Sequence, residues 1–368
     1  MNEKAHSTPR WREIVGEIEN AIQSGDLKPG MPLPSEVQLS LDYSVSRMTA
    51  NKAMTELQGR GLVVRKRRVG TVVAHPSRPR TNNVAVLCYY ISNFPTAPYL
   101  SGLREGLSSD YGLLLCDTGE EPAKEAYFLE KMRNEADAIV CMPSSMVENN
   151  ALLQSLIAED IPLLCLDRVP EGIEVDAIVS DNYGATLQAL RLLTSRGHRR
   201  IAFLSDLRPQ VSSVQERLRG HQDALREVGE ENPEELVRFF TTFTVTQDVY
   251  YPQLVREVHD AIFSLLHKPN PPTAIFCLQD AYMAAALEAC AQIGVEVPGD
   301  LEIVAFNDCP PQFLPLPAPV LRIVQQPHQM GVLAGQRITA ALRNGSLLPE
   351  ITRVTPQVFD PLVPVPSG

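Results

Sequence analysis

Apolar residues over the first sixty positions recur with the period of a helix. Trp11, Ile14, Val15, Ile18 and Ile22 stand at i, i+3, i+4, i+7 and i+11, which predicts one amphipathic helix with a single buried stripe. Gly25 ends it, and Pro29, Gly30, Pro32 and Pro34 force an irregular connector. Ser35 is placed to cap a second helix, with Gln38 three residues on as its capping-box partner. A third helix is expected from Ser46. Ala50, Ala53, Met54 and Leu57 form its inward stripe, which leaves Arg47, Thr49, Asn51 and Lys52 outward near its N-terminal end. Residues 62–64 and 71–73 then read as two short strands around Arg65, Lys66, Arg67, Arg68, Val69 and Gly70. Three helices followed by a basic hairpin make a winged helix-turn-helix.

From Val84 the rhythm changes. Short, wholly apolar runs (VAVLCYY, LLLCD, AIVCMP, PLLCLD, DAIVSD, RIAFLS, VRFFTT, AIFCL, EIVAF) alternate with helical stretches near 98–110, 122–135, 148–159, 183–196, 215–228, 251–267 and 281–293. Strands apolar throughout and separated by helices predict an α/β body of parallel sheets covered on both faces. A body of this length divides naturally into two lobes. The expected organisation is a DNA-binding domain over 1–73, a polar, proline-containing linker over 74–83 and a two-lobed body over 84–368.

Charge sharpens that division. Residues 1–80 hold 13 Lys/Arg against 8 Asp/Glu, while the rest of the chain holds 20 against 36. A basic head on an acidic body suits a head that touches a polyanion. The seven cysteines form no CxxC pair and no zinc spacing with histidine. Five of them, Cys88, Cys116, Cys141, Cys165 and Cys277, sit inside apolar runs and read as small buried hydrophobes of a reducing compartment. No run of about 18 apolar residues predicts a membrane span. The polar N-terminus lacks the apolar core of a signal peptide. A cytoplasmic protein with no metal and no cofactor is expected.

Two stretches carry candidate nucleic-acid chemistry. Arg pairs bidentately with guanine and Asn with adenine in the major groove, so Arg47 and Asn51 are suited to bases, and Thr49 and Lys52 to phosphates. A solvated outer helix face is the plainer account of the same residues. Four consecutive cations at Arg65–Arg68 repel one another unless an anion neutralises them, as a duplex backbone would; a solvated basic turn is again the plainer account.

The strings IQSGDLKPGMPLPSE, VSRMTANKAM, LQGRGLV and GTVV are similar to the GntR-type winged-helix domain, over residues 11–73. That resemblance implies a DNA contact set drawn from Ser35, Ser46, Arg47, Thr49, Asn51, Lys52, Arg65, Lys66, Arg67, Arg68 and Gly70. Departures stand at Val37 and Asn51, where the family often has Arg, and at Arg68, where Gly is usual. Residues 83–360 resemble the effector domain of LacI/GalR-type regulators through SGLREGL, DAIVCMPSS, IPLLCLDR, VSDNYGA, LLTSRGHRRIAFL, ERLRGHQDAL, VPGDLEIVAFND and RIVQQPHQMG. This implies two Rossmann-like lobes of periplasmic-binding-protein type with a ligand between them, and three crossings near Val179-Ser180, Ile323-Val324 and Leu347-Pro349. It also implies a ligand set of Tyr99, Ser144, Asp167, Arg217, Phe243, Asp280 and Asn307. The Arg217 fork can donate twice to a hydroxyl pair or carboxylate, and the carboxylates can accept from hydroxyls at C-terminal strand ends. The family often has Asp where this chain has Asn307. His198, His221 and His328 read as structural.

The two resemblances together imply a transcription regulator, a repressor whose operator affinity is set by a small polar effector such as a monosaccharide. They imply a homodimer on a pseudo-palindromic operator and no membrane partner. One alternative is a body that answers to a protein partner. The other is an enzyme, since some GntR-type heads are fused to aminotransferase-like bodies. Those need a Schiff-base lysine. Lys124, Lys131 and Lys268, the only lysines after residue 80, each lie in a polar or proline-flanked stretch.

Overall fold

The computed structural model describes residues 9–66, 70–74, 80–91, 96–144, 147–208, 210–240, 251–307, 316–344 and 347–362, without the side chains of Lys66, Asn307 and Asn344. Arg67, Arg68 and Phe243, and half of the expected linker, lie outside the described residues. The chain forms two compact units, Met1–Thr81 with Gln154–Ile161 and Asn82–Leu153 with Pro162–Gly368; the N-terminal head lies in the first and both sheets of the body in the second.

In the head, α1 (Arg10–Ser24), α2 (Glu36–Asp42) and α3 (Arg47–Gly59) precede β1 (Val63–Lys66) and β2 (Gly70–Val73), paired antiparallel. The predicted stripes meet in one core. Ile14, Val15 and Ile18 bury against Ala50, Ala53, Met54 and Leu57, with Trp11 and Ile22 half-covered at its rim. Ser35 caps α2 by accepting the Gln38 amide at 3.2 Å. The Gln38 side chain turns forward to Asp42 at 2.7 Å, so only half of the expected capping box forms. The proline-rich connector has a structural task. Gly30 and Leu33 donate their amides to Val73 and Thr71 at 2.9 and 2.8 Å, and Val73 donates to Met31 at 2.9 Å. The connector thus lies along β2 as an irregular edge, the position in a sheet where proline is tolerated.

The body holds two six-stranded sheets. Lobe one contains β3 (Asn83–Cys88), β4 (Gly112–Asp117), β5 (Ala138–Cys141), β6 (Leu163–Leu166), β7 (Asp176–Ser180) and, from far along the chain, β13 (Ile351–Val354). Their order is β4-β3-β5-β6-β7-β13, and all pairs are parallel. Its helices are α4 (Thr96–Gly106), α5 (Pro122–Glu135), α6 (Asn150–Ala158) and the late α11 (Pro327–Asn344). Lobe two orders β9 (Val237–Phe240), β8 (Ile201–Asp206), β10 (Ala274–Cys277), β11 (Glu302–Asn307), β12 (Leu321–Val324) and β14 (Gln357–Phe359). Its helices are α7 (Asn182–Ser195), α8 (Ser212–Arg226), α9 (Tyr251–Leu266) and α10 (Asp280–Ile293). β14 runs antiparallel to β12, the one departure from an all-parallel sheet among the described strands.

The chain crosses between lobes at 180–182 and 324–327, as expected, but the third crossing lies at 354–357. Residues 347–349, where it was expected, still precede β13, which first pairs with β7 in lobe one. α4 and α11 touch backbone to backbone. A Cβ on Gly102 would lie 2.0 Å from the His328 oxygen, and one on Gly331 2.2 Å from the Tyr99 oxygen. Only glycine permits that approach, and it fixes the depth of Tyr99 under the ends of the lobe-one strands. The cysteines of the strands are buried and free of disulfides; burial pushes the Cys88 thiol up to about 12, far from any reactive thiolate.

Candidate functional site

The head presents its candidate DNA-contacting groups from three adjacent pieces of chain. Ser46 caps α3, accepting the Thr49 amide at 3.2 Å, and the two hydroxyls meet at 2.8 Å. The cap leaves Arg47 exposed at the first turn. Asn51 and Arg65 are brought together by Glu36, which in the sequence is no more than the last letter of the LPSE string. Glu36 Oε1 accepts from Asn51 at 3.0 Å and from Arg65 at 2.5 Å. Glu36 therefore ties the recognition-type helix to the hairpin, both of them expected on DNA. The pairing is half-exposed, so it orients the groups more than it stabilises the fold. Lys52 lies over the Trp11 ring at 4.8 Å, a cation–π contact that holds the ammonium close to α1. Met48, between Arg47 and Thr49, is 84% exposed. An uncovered methionine in the first turn of such a helix is an apolar group available to a thymine methyl, and nothing in the helical periodicity points to it. Gly70 closes the wing with φ +103°, a backbone that favours glycine.

In the body the strand ends of the two lobes converge. Asp167 follows β6 with φ +71°, an uncommon backbone for a non-glycine residue that clusters at functional sites. Its carboxylate accepts from the Tyr89 hydroxyl at 2.9 Å and the Tyr99 hydroxyl at 3.1 Å. Tyr99 is 2% exposed, with its ring in the lobe-one core. The structure thus joins two expected site residues, Asp167 and Tyr99, and adds Tyr89. Ser144 is buried; its amide and hydroxyl donate to Glu125 at 2.5 and 3.3 Å. Burial raises the Glu125 carboxyl above the ordinary carboxylate range, against hydrogen bonds from Asn149 and Ser144 that pull it down.

In lobe two, Arg217 on α8 is buried. It donates to the Asn182 side chain at 2.9 Å and to the Leu278 carbonyl at 2.8 Å, and its guanidinium stacks 3.7 Å from the centre of the Phe306 ring. Asn182 sits on the first crossing and donates to the Ser180 carbonyl at 3.1 Å. Ser180 in turn donates to Gln325, on the second crossing, at 2.6 Å. Arg217 is therefore one hydrogen bond from the hinge. Asp280 stands half-buried at the start of α10, and Asn307 ends β11 with its side chain outside the described residues.

A cavity of about 190 Å³ opens between the lobes, lined by Pro143, Ser144 and Arg168 from lobe one and by Gln210, Val211 and Ser212 from lobe two. Ser144 is the one expected ligand residue on its wall among those described. Across it, Val169 donates its amide to Ser212 Oγ at 3.0 Å. Charged side chains close the same junction. Glu120 accepts from Arg168 at 2.7 Å, and from Arg208 at 2.7 Å on both oxygens. Arg208 also pairs with Asp206 at 2.9 Å. Glu120 and Arg208 stand outside the set expected from the sequence.

Known proteins share both halves. Residues 11–73 match the family of bacterial regulatory proteins, gntR family, and residues 190–359 match the periplasmic binding protein-like domain. The arabinose metabolism transcriptional repressor of Geobacillus stearothermophilus is 26% identical over 356 residues, 94% of each chain. Two solved structures share the fold. The transcription regulator CcpA of Lactococcus lactis has a TM-score of 0.64 at 22% identity, over 76% of this chain and 98% of that one. The transcriptional regulator CelR–cellobiose complex has a TM-score of 0.64 at 20% identity, over 89% and 98%. The head geometry, the two crossed lobes and these matches lead to one conclusion: the chain is a transcription regulator with a DNA-binding head of the GntR family and a periplasmic binding protein-like body.

Proposed function

We propose that this regulator is a repressor whose grip on its operator is set by a small polar ligand, a monosaccharide or a close derivative, bound between the lobes of the body. The observation that carries this reading is a cavity lined from both lobes, by Ser144 and Arg168 on one side and Gln210 and Ser212 on the other, at a junction that polar groups bridge through Glu120–Arg208 and Val169–Ser212. Directional donors and acceptors in a concave site are what a hydroxyl-rich ring requires. A named relative acts in arabinose metabolism and a structural neighbour carries cellobiose, which supports a sugar.

A ligand that takes hydrogen bonds from Arg217 competes with Asn182 for the same guanidinium, and Asn182 lies on a crossing. Binding therefore acts directly on the hinge, with a coupling of the usual order, about 1–3 kcal/mol. Arg217→Ala should abolish the response of operator binding to the sugar that raises the melting temperature most in a monosaccharide screen. Ligand-free operator affinity should be kept. A normal response in that variant would refute the cleft assignment.

The active form is a homodimer on a pseudo-palindromic site, since duplication adds avidity to one small head. Leu115 on β4 and Phe239 on β9 are 45% and 43% exposed, and each stands on an edge strand, in the same place in its lobe. Their matching places make them the first candidates for the contact between copies. Leu115→Lys with Phe239→Lys should halve the mass seen by light scattering; an unchanged mass would move the interface elsewhere.

A further inference from the structure

The chain's own charges at the lobe junction bear on what the ligand is. Two guanidiniums meet there, Arg168 from the end of β6 and Arg208 from the loop after β8, one from each lobe. Between them lies a single carboxylate, Glu120, in the loop after β4. Its Oε1 accepts from both arginines at 2.7 Å, and its Oε2 takes a second bond from Arg208, also at 2.7 Å. All three side chains are largely buried, at 10–15% exposure. Glu120 holds this position at φ +57°, a left-handed backbone that a residue other than glycine adopts only when its surroundings compel it. Asp206 takes the other face of Arg208 at 2.9 Å, and Asp167 lies 3.6 Å from Arg168. The five groups thus carry three negative charges against two positive ones. Burial alone would raise the Glu120 carboxyl, but the two arginines outweigh it and hold it below the ordinary carboxylate range. The carboxylate is therefore ionised at neutral pH.

Two arginines converging from opposite lobes are otherwise a ready receptor for a phosphate or carboxylate. Here that receptor is already filled by a side chain of the protein. We infer that Glu120 is a specificity-determining residue: it occupies the di-arginine seat between the lobes and restricts the effector to uncharged sugars, excluding sugar acids and sugar phosphates. This rests on the reading of the junction as the effector site. It adds the charge class of the ligand and names the residue that sets it. An anionic ligand would have to expel Glu120 and would face Asp206 and Asp167, whereas a neutral ring meets Asp167 as a hydrogen-bond acceptor.

The test uses the full chain, with thermal shift and calorimetry on aldoses, their aldonates and aldose phosphates, and inorganic phosphate as the minimal anion. Wild-type protein should bind the best aldose at least tenfold more tightly than its aldonate, and 20 mM phosphate should not shift its melting temperature against chloride at equal ionic strength. In Glu120→Gln the same phosphate should raise the melting temperature by several degrees and the aldonate should gain at least tenfold. Adding Arg208→Gln should remove both gains. Wild-type preference for the aldonate or the aldose phosphate, or a Glu120→Gln protein indifferent to phosphate, overturns the inference. If Glu120→Gln does not fold, the wild-type ratio of aldose to aldonate decides. If no aldose binds the wild type, the sugar reading itself fails, while the phosphate response of Glu120→Gln still judges the seat.

Discussion

The head and the body place their chemistry in opposite ways. The head's candidate contacts come from residues 35–70; those described stand at or near the surface and are linked locally, Ser46 to Thr49 and Asn51 to Arg65 through Glu36. The body's come from strand ends and from helices α4, α8 and α10 between Tyr89 and Asn307; those described are mostly buried and are tied to one another, to the crossings and across the junction by hydrogen bonds. An exposed, locally encoded site is adjusted one residue at a time. A buried, assembled site responds as a unit, because each group is also part of another's surroundings. Head variants should therefore change DNA affinity and leave stability alone, whereas body variants should touch stability and signalling together.

The largest effect that tests this contrast lies in the wing. Replacing Arg65, Lys66, Arg67 and Arg68 together by Ala should weaken operator and random DNA alike. It should also flatten the salt dependence, by about 0.9 in the log–log slope for each phosphate that the wing no longer neutralises. The melting temperature should stay within about a degree or two, because the pair that Arg65 makes with Glu36 is half-exposed and such pairs add little stability. The contrast breaks if random-DNA affinity is unchanged, or if the protein is markedly destabilised.

A smaller effect separates reading from gripping within the head. Arg47→Ala should cost about 1–3 kcal/mol on the operator and clearly less on random DNA. Equal losses would make Arg47 a phosphate contact and leave base reading to Asn51 and Met48.

The same contrast explains what the sequence could reveal. The helices α1 and α3 are legible because their apolar stripes are periodic and local, and the buried strands because they are apolar throughout. α11 gives no such signal: its glycines at 331 and 335 look unhelical until the glycines of α4 are set against them. β13 and β14 lie in a proline-rich tail, and their partners β7 and β12 are remote in sequence or antiparallel, so the sequence places the third crossing several residues too early. In the site, Asp167 and Arg217 are legible through family strings. Tyr89, Glu120 and Arg208 are not, because an ion pair between residues 88 apart leaves no pattern in either neighbourhood. In the head the helices and their buried stripe are legible, whereas the Gln38 side chain, Glu36 and Met48 are not, because their surroundings depend on which surface they share.

The smallest effect is one of pH, and it belongs to the body alone. His221 on α8 is wholly buried, donates Nε2–H to the Ile201 carbonyl at 2.8 Å, and has no partner for Nδ1 among the described residues. Burial drives its pKa down to about 4, against the carbonyl bond that favours the charged ring. In the unfolded chain the ring titrates near 6.5. Between these values the unfolded state binds the extra proton, so stability is complete above about pH 6.5 and is lost as pH falls toward 4. At pH 6 the loss is slight, about 0.8 kcal/mol, and it grows to about 2 kcal/mol by pH 5. His221→Gln keeps a donor for Ile201 and removes the titration. Its stability should be lower at pH 7.5 but should fall less between pH 7.5 and 5 than that of the wild type, as read by urea unfolding of the body. DNA binding by the folded head at pH 6 should be the same in both proteins. An identical pH slope in the variant would mean that the ring is hydrated enough to titrate normally, and that this part of the body is no drier than the head.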